Sequence, residues 1–266
     1  MAIDSFFIVA PTSFLEEKAL AAGIRFEKGS PRLGRGELQP KGYDAYLSEA
    51  IGHTSAADLK MRYSGHRVEQ GGLVVAVGPT SFREYRDIFK GDIPDNILAG
   101  ILKSQGEVAM HDAWARFARP LGVTVAVTDR TGAFVIGKRK EVTEYRSFFH
   151  FPAGYVPFTA NPAEIDIVDT ALSFLRTNYN IQSKDVVQMR PELLAAQPET
   201  GETDIVFVAR TRLPARHFST AGSWRRASRS NKYESLQRVG LLEARDFVRT
   251  HDVVYGAAAL LVAVSQ

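Results

Sequence analysis

The second half of the chain carries the clearest alternation of apolar and polar positions. Residues 123–127 alternate valine with smaller or polar residues, which predicts a half-buried strand. Residues 129–132 provide turn chemistry with a glycine at the end, and residues 134–136 begin a second strand. Beyond that hairpin, the spacing of apolar residues predicts one stripe on a helix over 161–180. The stripe consists of Val168, Leu172, Leu175 and Tyr179.

The first 120 residues give weaker patterns, which predict a mixture of strands and helices. These elements are, in order, a strand over 5–11, a helix over 13–23, a loop over 27–42, a helix over 43–51, strands over 59–67 and 72–77, a turn from residue 78 that leads into a capped helix, and one or two helices over 96–118. Pro120 ends the last helix just before the clearer pattern begins. We therefore predict an α+β N-terminal extension over 1–120, packed on a core domain over 121–266.

The last 80 or so residues complete that core domain, by the ordinary signals of strands and helices. Strands are predicted over 185–189 and 204–213, and the second of these should bury one face because its apolar residues alternate. A further strand follows Tyr233, over 234–239, and two closing elements span 241–250 and 253–264.

The order of strand, turn, basic strand end, Pro-Ala-Gly loop and helix resembles the Nudix superfamily. Members of that family hydrolyse nucleoside diphosphates linked to another group, and their sequence box is G-x5-E-x7-R-E-U-x-E-E-x-G-U, where U is aliphatic. Gly154 matches the first glycine, and Leu175 and Ile181 match the aliphatic positions if a short insertion precedes the helix. The resemblance implies an α/β fold, a Nudix-type α/β/α sandwich with a mixed sheet. A weaker resemblance, over residues 59–87, is to the UDP-glucose pyrophosphatase type of Nudix protein.

The sequence departs from the box at the positions where the family holds Mg²⁺ with glutamates. Ala160 stands at the first glutamate, Ser173-Phe174 replace Arg-Glu, Thr177-Asn178 replace Glu-Glu, and Asn180 replaces the glycine. Magnesium prefers hard oxygen ligands, above all carboxylates. The nearest acid, Asp169, lies ~12 Å along the helix from Thr177, at ~1.5 Å per residue. We therefore expect no cofactor, and Mg²⁺ only if the chain is a divergent hydrolase.

Composition narrows the remaining function classes. At 266 residues, 45% hydrophobic and 24% charged, the chain has enough apolar material for a sizeable core. Its net charge of +3 is mild, so we expect no nucleic-acid partner, although an anionic ligand is compatible. No apolar run reaches the ~18 residues that span a membrane. The absence of cysteine suits a cytoplasmic protein, and a homodimer is left open.

A run of cations begins within the predicted strand over 204–213 and continues to residue 232, with no acidic residue between Asp204 and Glu234. Guanidinium groups match phosphate oxygens in two-point contacts, so this run is a candidate phosphate site. The alternative is a basic, solvated loop. The cations are Arg210, Arg212, Arg216, Arg225, Arg226, Arg229 and Lys232.

A second group of candidates flanks the hairpin. By the resemblance, Arg139 falls where a basic residue contacts the substrate phosphate, and Tyr233 precedes the strand that lines the substrate cleft. Lys138, Tyr145 and Arg146 lie near Arg139 in sequence, and the alternative is that this group is an ordinary basic surface.

Titratable side chains border the Pro-Ala-Gly loop on both sides. His150 precedes the loop and exchanges protons near neutral pH in its ordinary state, so it is a candidate proton carrier or else a loop histidine bonded to backbone. Glu164, Asp166 and Asp169 follow it; they form either a displaced metal site or the favourable negative charge of a helix N-terminus.

Three functions remain open. The chain is a binding protein that takes a small phosphorylated or nucleotide-like ligand without metal-dependent hydrolysis, a divergent hydrolase of nucleotide sugars, or a metal-independent acid–base enzyme that uses the same cleft. Ligand contacts are expected from Lys138, Arg139, Arg146, Gly154, Arg210, Arg212, Arg226 and Tyr233.

Overall fold

Eleven strands and three α-helices make up the part of the chain that the computed structural model describes, which is residues 7–11, 24–28, 58–69, 72–82, 119–141, 145–197, 202–226 and 232–265. The larger sheet contains β1 (Phe7–Pro11), β5 (Leu121–Thr128), β6 (Phe134–Arg139), β7 (Phe149–His150), β8 (Ala153–Tyr155), β9 (Val186–Ala196), β10 (Thr203–Thr211) and β11 (Tyr233–Val239). The smaller sheet contains β2 (Ile24–Lys28), β3 (Leu59–Glu69) and β4 (Gly72–Ser81). The helices are α1 (Ile167–Tyr179), α2 (Ala244–Thr250) and α3 (Tyr255–Ala263). The helices predicted over 13–23, 43–51 and 96–118 lie outside the described residues.

The larger sheet is mixed and has the order β1-β9-β10-β5-β6-β11. β10 runs parallel to β5 along its length, whereas the other pairs are antiparallel. The second edge of β5 is shared, because β8 pairs with residues 122–124 and β6 pairs with residues 127–128. β7 pairs with β6 in antiparallel orientation and so belongs to the β6 branch. The two branches of the sheet therefore separate beside the middle of β5.

Helices cover both faces of this sheet, which confirms the predicted α/β/α arrangement. Val123 and Val125 share a buried cluster with α1, while Ala126 on the opposite face shares one with α2 and α3. The prediction that β5 is half-buried was wrong, since all eight of its residues are buried. In β10 the predicted face is buried, through Ile205, Phe207 and Ala209 in the cluster that contains α1, and Val206 on the other face is also buried, in the cluster that contains α3. Helices bury both faces of the central strands in an α/β sheet, so apolar and polar residues need not alternate along those strands.

Helix α1 begins later than predicted and presents a slightly different face to the core. Val168, predicted in the apolar stripe, is 47% exposed, and the buried row runs instead through Ile167, Ala171 and Leu175 to Tyr179. Residues 162–164 form a separate turn of 3₁₀ helix. The buried face is therefore shifted by about one residue from the predicted one. An apolar stripe covers a wide arc of a helix, so the sequence pattern does not fix the rotation more closely than this.

In the N-terminal part of the chain, β3 contacts the segment just before β5 and the segment just after β8. The predicted β3–β4 hairpin is confirmed, but β4 extends through Gly78 to Ser81, so the predicted turn at residue 78 was wrong. β2 also occupies the start of the predicted 27–42 loop. Backbone N–H groups of Met61 and Tyr63 donate to the carbonyls of Val156 and Arg119 at 2.9 and 3.0 Å. The domain boundary at residue 120 stays a prediction.

The described helices give no membrane-crossing element, because none of them is long and apolar enough. The three α-helices have 13, 7 and 9 residues, whereas a span needs ~20.

The turn between β5 and β6 is organised by a buried carboxylate. Asp129 accepts hydrogen bonds from the backbone N–H and the hydroxyl of Thr131, at 2.8 and 2.6 Å, and from Nε of Arg238 on β11 at 2.8 Å. Burial alone would raise the pKa of Asp129, but the bonds from Thr131 and Arg238 hold it below its ordinary value. Gly132, at φ +87°, completes the turn as predicted.

We predict that Asp129→Ala lowers the free energy of unfolding by about 2–4 kcal/mol, because it leaves the turn N–H groups and a paired arginine without their acceptor. Urea denaturation measures the change. The matched control is Asp246→Ala on α2, whose carboxylate is exposed and 3.6 Å from Arg249; it should change stability by less than about 0.5 kcal/mol. Equal effects of the two substitutions would contradict this account of the turn.

Candidate functional site

A small cavity opens where the β6–β7 and β5–β8 branches of the sheet separate. Its volume is about 30 Å³, which is room for one or two water-sized groups. It therefore accepts only one end of a ligand, and the remainder would lie at its mouth. The residues that line it are Arg139, Tyr145, His150, Ala153, Gly154, Tyr155, Glu202, Asp204 and Lys232.

Asp204 is the buried acid of this cavity, and glycine backbones make the space for it. The carboxylate is 4% exposed at the start of β10, beside Gly122 of β5 in the parallel register. A Cβ on Gly122 would lie 1.8 Å from Oδ1, and a Cβ on Gly256 of α3 would lie 2.8 Å from Oδ2. The Thr124 hydroxyl donates to Oδ2 at 2.6 Å. The carboxylate thus sits in a slot that closes if either glycine gains a side chain.

This burial changes the proton affinity of Asp204. Loss of hydration raises its pKa to about 6, and the hydroxyls of Thr124 and Tyr255 offset part of the effect because they favour the charged form. The ordinary value is 3.8. Asp204 therefore exchanges its proton close to neutral pH, a property that buried carboxylates share with acid–base groups of active sites.

His150 contributes a polar atom that has no hydrogen-bond partner among the described residues. Its Nδ1 is buried, and the residue is 4% exposed. Burial lowers the pKa of His150 well below its ordinary value, and the nearby charges of Arg139 and Lys232 lower it further. The ring is therefore neutral at pH 7. The prediction of a loop histidine bonded to backbone was wrong, because His150 lies on β7 between two buried phenylalanines.

The cationic side of the cavity is formed by Arg139 and Lys232, from adjacent antiparallel segments. Arg139 is 5% exposed, and its guanidinium lies 5.8 Å from the centre of the Tyr145 ring. The Tyr145 hydroxyl donates to Gln197 at 2.7 Å and lies 3.0 Å from Oε2 of Glu202. Tyr145 therefore connects the cation at the end of β6 to the acid before β10.

The other basic candidates lie away from this cavity. Lys138 pairs with Glu234 at 3.0 Å and is partly exposed, and Arg146 is exposed on the loop before β7. Arg210 and Arg212 are exposed at the far end of β10, and Arg210 lies ~20 Å from Asp204 at ~3.3 Å per residue. The structure does not bring these side chains together with Arg139, and their contact with a ligand stays a prediction.

The described part of the cationic loop is held by its aromatic residue. Arg225 and Arg226 are exposed, while Trp224 is buried and donates from Nε1 to the Ser219 carbonyl at 2.7 Å. Arg229 lies outside the described residues. Trp224 therefore anchors this part of the loop in the core.

Tyr233 lies in the core beside the cavity. Its ring packs over Gly137, where a Cβ would be 2.3 Å from Cδ1, and its hydroxyl donates to the Phe151 carbonyl. The ring also meets Tyr179 edge-on at 5.3 Å. These contacts position β11 against α1, so ligand contact by Tyr233 is not needed to explain its burial.

The acids before and within α1 act on the helix end. Asp166 is the N-cap residue and accepts from the Asp169 N–H at 2.8 Å, and Glu164 accepts from the Asn161 amide at 2.9 Å. All three acids are exposed. Their geometry is that of helix capping, with negative charge beside the positive end of the dipole.

The helix positions that resemble the magnesium ligands do not fit that ion. Phe174 lies directly over Gly154, where a Cβ would be 2.6 Å from the ring, and Asn178 donates its amide N–H to the Phe174 carbonyl at 2.9 Å. With Thr177 these are two neutral polar groups and one apolar ring, whereas Mg²⁺ needs carboxylate oxygens. Among the described residues no group of three His, Cys, Asp or Glu could hold a metal ion.

Reasoning from the sequence missed the acidic half of the cavity. Asp204 reads as the polar start of a strand, and Glu202 as part of a loop. The one signal in the sequence was that Asp204 is a charged residue at the start of an apolar strand. Gly122 and Gly256, which surround it in the structure, are too distant in sequence for a local pattern to reveal the contact. Lys232 was grouped with the cationic run, from which the structure separates it.

No protein-family model matches the sequence, and no curated protein matches it. Similar solved structures include a Nudix hydrolase from M. Smegmatis, RenU, at 13% identity, over 54% of this chain and 81% of that chain, with a TM-score of 0.35. The NUDIX domain of Shewanella oneidensis NrtR, complexed with ADP ribose, matches at 10% identity over 62% and 94% of the two chains, with a TM-score of 0.36. A C. elegans Ap4A hydrolase matches at 10% identity over 54% and 95%, with a TM-score of 0.35.

Two of these structures carry the family name that the sequence resemblance predicted. At such identities and TM-scores they say nothing about the ligand or the chemistry of this chain. The site is therefore argued from its own residues.

We predict that Gly122→Ala destabilises the protein by about 1–3 kcal/mol, because the new methyl group collides with the Asp204 carboxylate. In an Asp204→Ala background the same substitution should cost less, since the colliding oxygen is gone. Denaturant unfolding of the four proteins gives the coupling energy. Gly78→Ala is the control, because its Cβ would meet only Ser64 Oγ at 3.9 Å. Additive effects at 122 and 204 would rule out the slot.

The raised pKa of Asp204 predicts a stability change between pH 4 and 6. The folded state keeps a proton that the unfolded state loses over this range, so stability falls as pH rises, and the full penalty is present above the folded pKa. A shift from 3.8 to about 6 corresponds to about 3 kcal/mol. Asp204→Asn has no such proton. We therefore expect its stability relative to the parent protein to rise by up to that amount from pH 4 to 7, measured by urea unfolding. A constant difference would show that Asp204 titrates normally.

Proposed function

We propose that this protein binds a small phosphorylated or nucleotide-like ligand, whose anionic group is held by Arg139 and Lys232, without magnesium-dependent hydrolysis. The observation that carries the proposal is the juxtaposition of these two cations with Gly154 around one cavity. The notable feature is the burial of Arg139, because a guanidinium seldom loses its water without a defined anionic or aromatic environment.

The geometry suits a phosphate in particular. A guanidinium presents paired N–H donors that match two phosphate oxygens, and the Arg139 guanidinium lies over the Tyr145 ring at 5.8 Å from its centre. The backbone of Lys232 is held in place, because its carbonyl accepts a hydrogen bond from the Lys140 N–H at 2.9 Å. Its ammonium then supplies a second positive charge on the same side of the cavity.

Helix α1 supports binding without a metal. The contact of Phe174 with Gly154 places an aromatic ring where the box resemblance would need a carboxylate. Charge on a phosphate would then be offset by Arg139 and Lys232 alone.

A second candidate function has one observation in its favour. Asp204, with a pKa of about 6, and neutral His150 line the same cavity, so a carboxyl group that exchanges its proton near neutral pH lies beside an imidazole there without a metal. A ligand that is chemically changed in the presence of EDTA would favour this function over simple binding.

Isothermal titration with inorganic phosphate, glucose 6-phosphate, UMP and UDP-glucose, each with Mg²⁺ and with EDTA, tests the proposal. We expect at least one phosphorylated compound to bind with equal affinity under both conditions and to be recovered unchanged. Arg139→Gln should weaken this binding by about tenfold or more, because it removes a charge-assisted contact.

Arg249→Gln is the matched control, since Arg249 is an exposed arginine on α2, and it should leave affinity unchanged. Lys232→Gln gives an independent variant if Arg139→Gln does not fold. Failure of every phosphorylated compound to bind would refute the proposal. Mg²⁺-dependent cleavage of UDP-glucose that is abolished by Glu164→Ala with Asp169→Ala would establish the divergent hydrolase instead.

A further inference from the structure

We infer that the ligand carries an amino group in addition to its phosphate, and that Asp204 and Nδ1 of His150 receive that group at the base of the cavity. The inference rests on the proposed function, because the phosphate contact at Arg139 and Lys232 positions the same molecule. It names the class of ligand as a small amino phosphate.

The first step is that the Asp204 carboxylate has a fixed position. A Cβ at Gly122 would collide with Oδ1 and a Cβ at Gly256 would collide with Oδ2, so both positions must lack a side chain. The Thr124 hydroxyl donates to Oδ2. A carboxylate at the surface would need none of these arrangements. The fold therefore keeps an acceptor of defined orientation next to the cavity, at a cost in hydration.

The second step is that a buried acceptor beside it lacks a donor. Nδ1 of His150 has no partner among the described residues, although most buried polar atoms have one. The neutral imidazole can accept a hydrogen bond at that nitrogen when its proton is on Nε2. Two acceptors, Asp204 and His150, thus face the same small space.

The third step is the match between that space and an amino group. About 30 Å³ holds one or two non-hydrogen atoms and excludes a ring. A protonated amine brings three N–H donors and a positive charge, so it satisfies both acceptors and offsets the Asp204 charge. A hydroxyl has one donor and no charge, so it leaves one acceptor unsatisfied.

The fourth step is charge balance over the whole cavity. An amine alone would be repelled by Arg139 and Lys232, whereas a phosphate alone would bring no positive charge to the buried Asp204. Glu202 adds a second negative charge on the acidic side. A ligand with both groups offsets the cations with its phosphate and the acids with its amine.

The test compares ligands that differ only in amine against hydroxyl. Calorimetry would measure phosphoethanolamine against 2-hydroxyethyl phosphate, and glucosamine 6-phosphate against glucose 6-phosphate, with inorganic phosphate as the reference. In at least one pair the amino member should bind about tenfold or more tightly, as a charge-assisted contact requires. In Asp204→Asn the ratio should fall to near one, and in the exposed control Asp246→Asn it should be retained.

Each outcome decides the matter. Equal affinity within both pairs would refute the amino subsite while leaving phosphate binding intact. A preference that survives in Asp204→Asn would refute the assignment to Asp204. No binding of any phosphate compound would remove the proposed function itself and this inference with it. Because the ratio is first measured in the parent protein, the test is decisive even if Asp204→Asn does not fold.

Discussion

The structure depends on how the two edges of β5 are shared. One edge pairs in parallel with β10 from end to end, while the other is divided between β8 and β6. Helices bury both faces of β5, so the strand cannot shift its register without exposing apolar side chains on one face or the other. The division of the second edge is therefore fixed, and so is the opening between the two branches. Side chains from both branches meet at that opening.

Burying charged side chains at that opening lowers the stability of the fold. Burying a charged group costs several kcal/mol unless partners compensate, and replacement by apolar residues is often neutral or stabilising. Here the chain keeps Asp204, Glu202 and Arg139 nearly enclosed, and it keeps glycines at 122 and 256 that a stable core would not need. Part of the compensation comes from within the chain, because the hydroxyls of Thr124 and Tyr145 bond the carboxylates of Asp204 and Glu202.

The sequence predicted the parts of this fold that depend on local pattern and missed those that depend on distant pairing. The β5–β6 turn was predictable because Asp129 and Gly132 lie within four residues of one another. The helix face was predicted with an error of one residue at Val168, since a wide apolar stripe does not fix rotation. Asp204 could not be placed, because its hydrogen-bond partner Thr124 lies 80 residues away and only the parallel register brings them together. His150 was a candidate, but its place on a strand was missed for a related reason, as a strand of two residues has no period to detect.

The contact between Phe174 and Gly154 determines which part of the molecule supplies the chemistry. The aromatic ring places an apolar layer between helix α1 and the loop that borders the cavity, so the helix side chains do not extend into it. All charged lining residues come instead from strand ends and from the segments next to them. A divalent cation at this point would be repelled by Arg139 and Lys232, whereas a phosphate would be attracted by both. The same two cations thus disfavour a metal and favour an anion, and the charges around the cavity come from the strand ends and adjacent segments rather than from the helix.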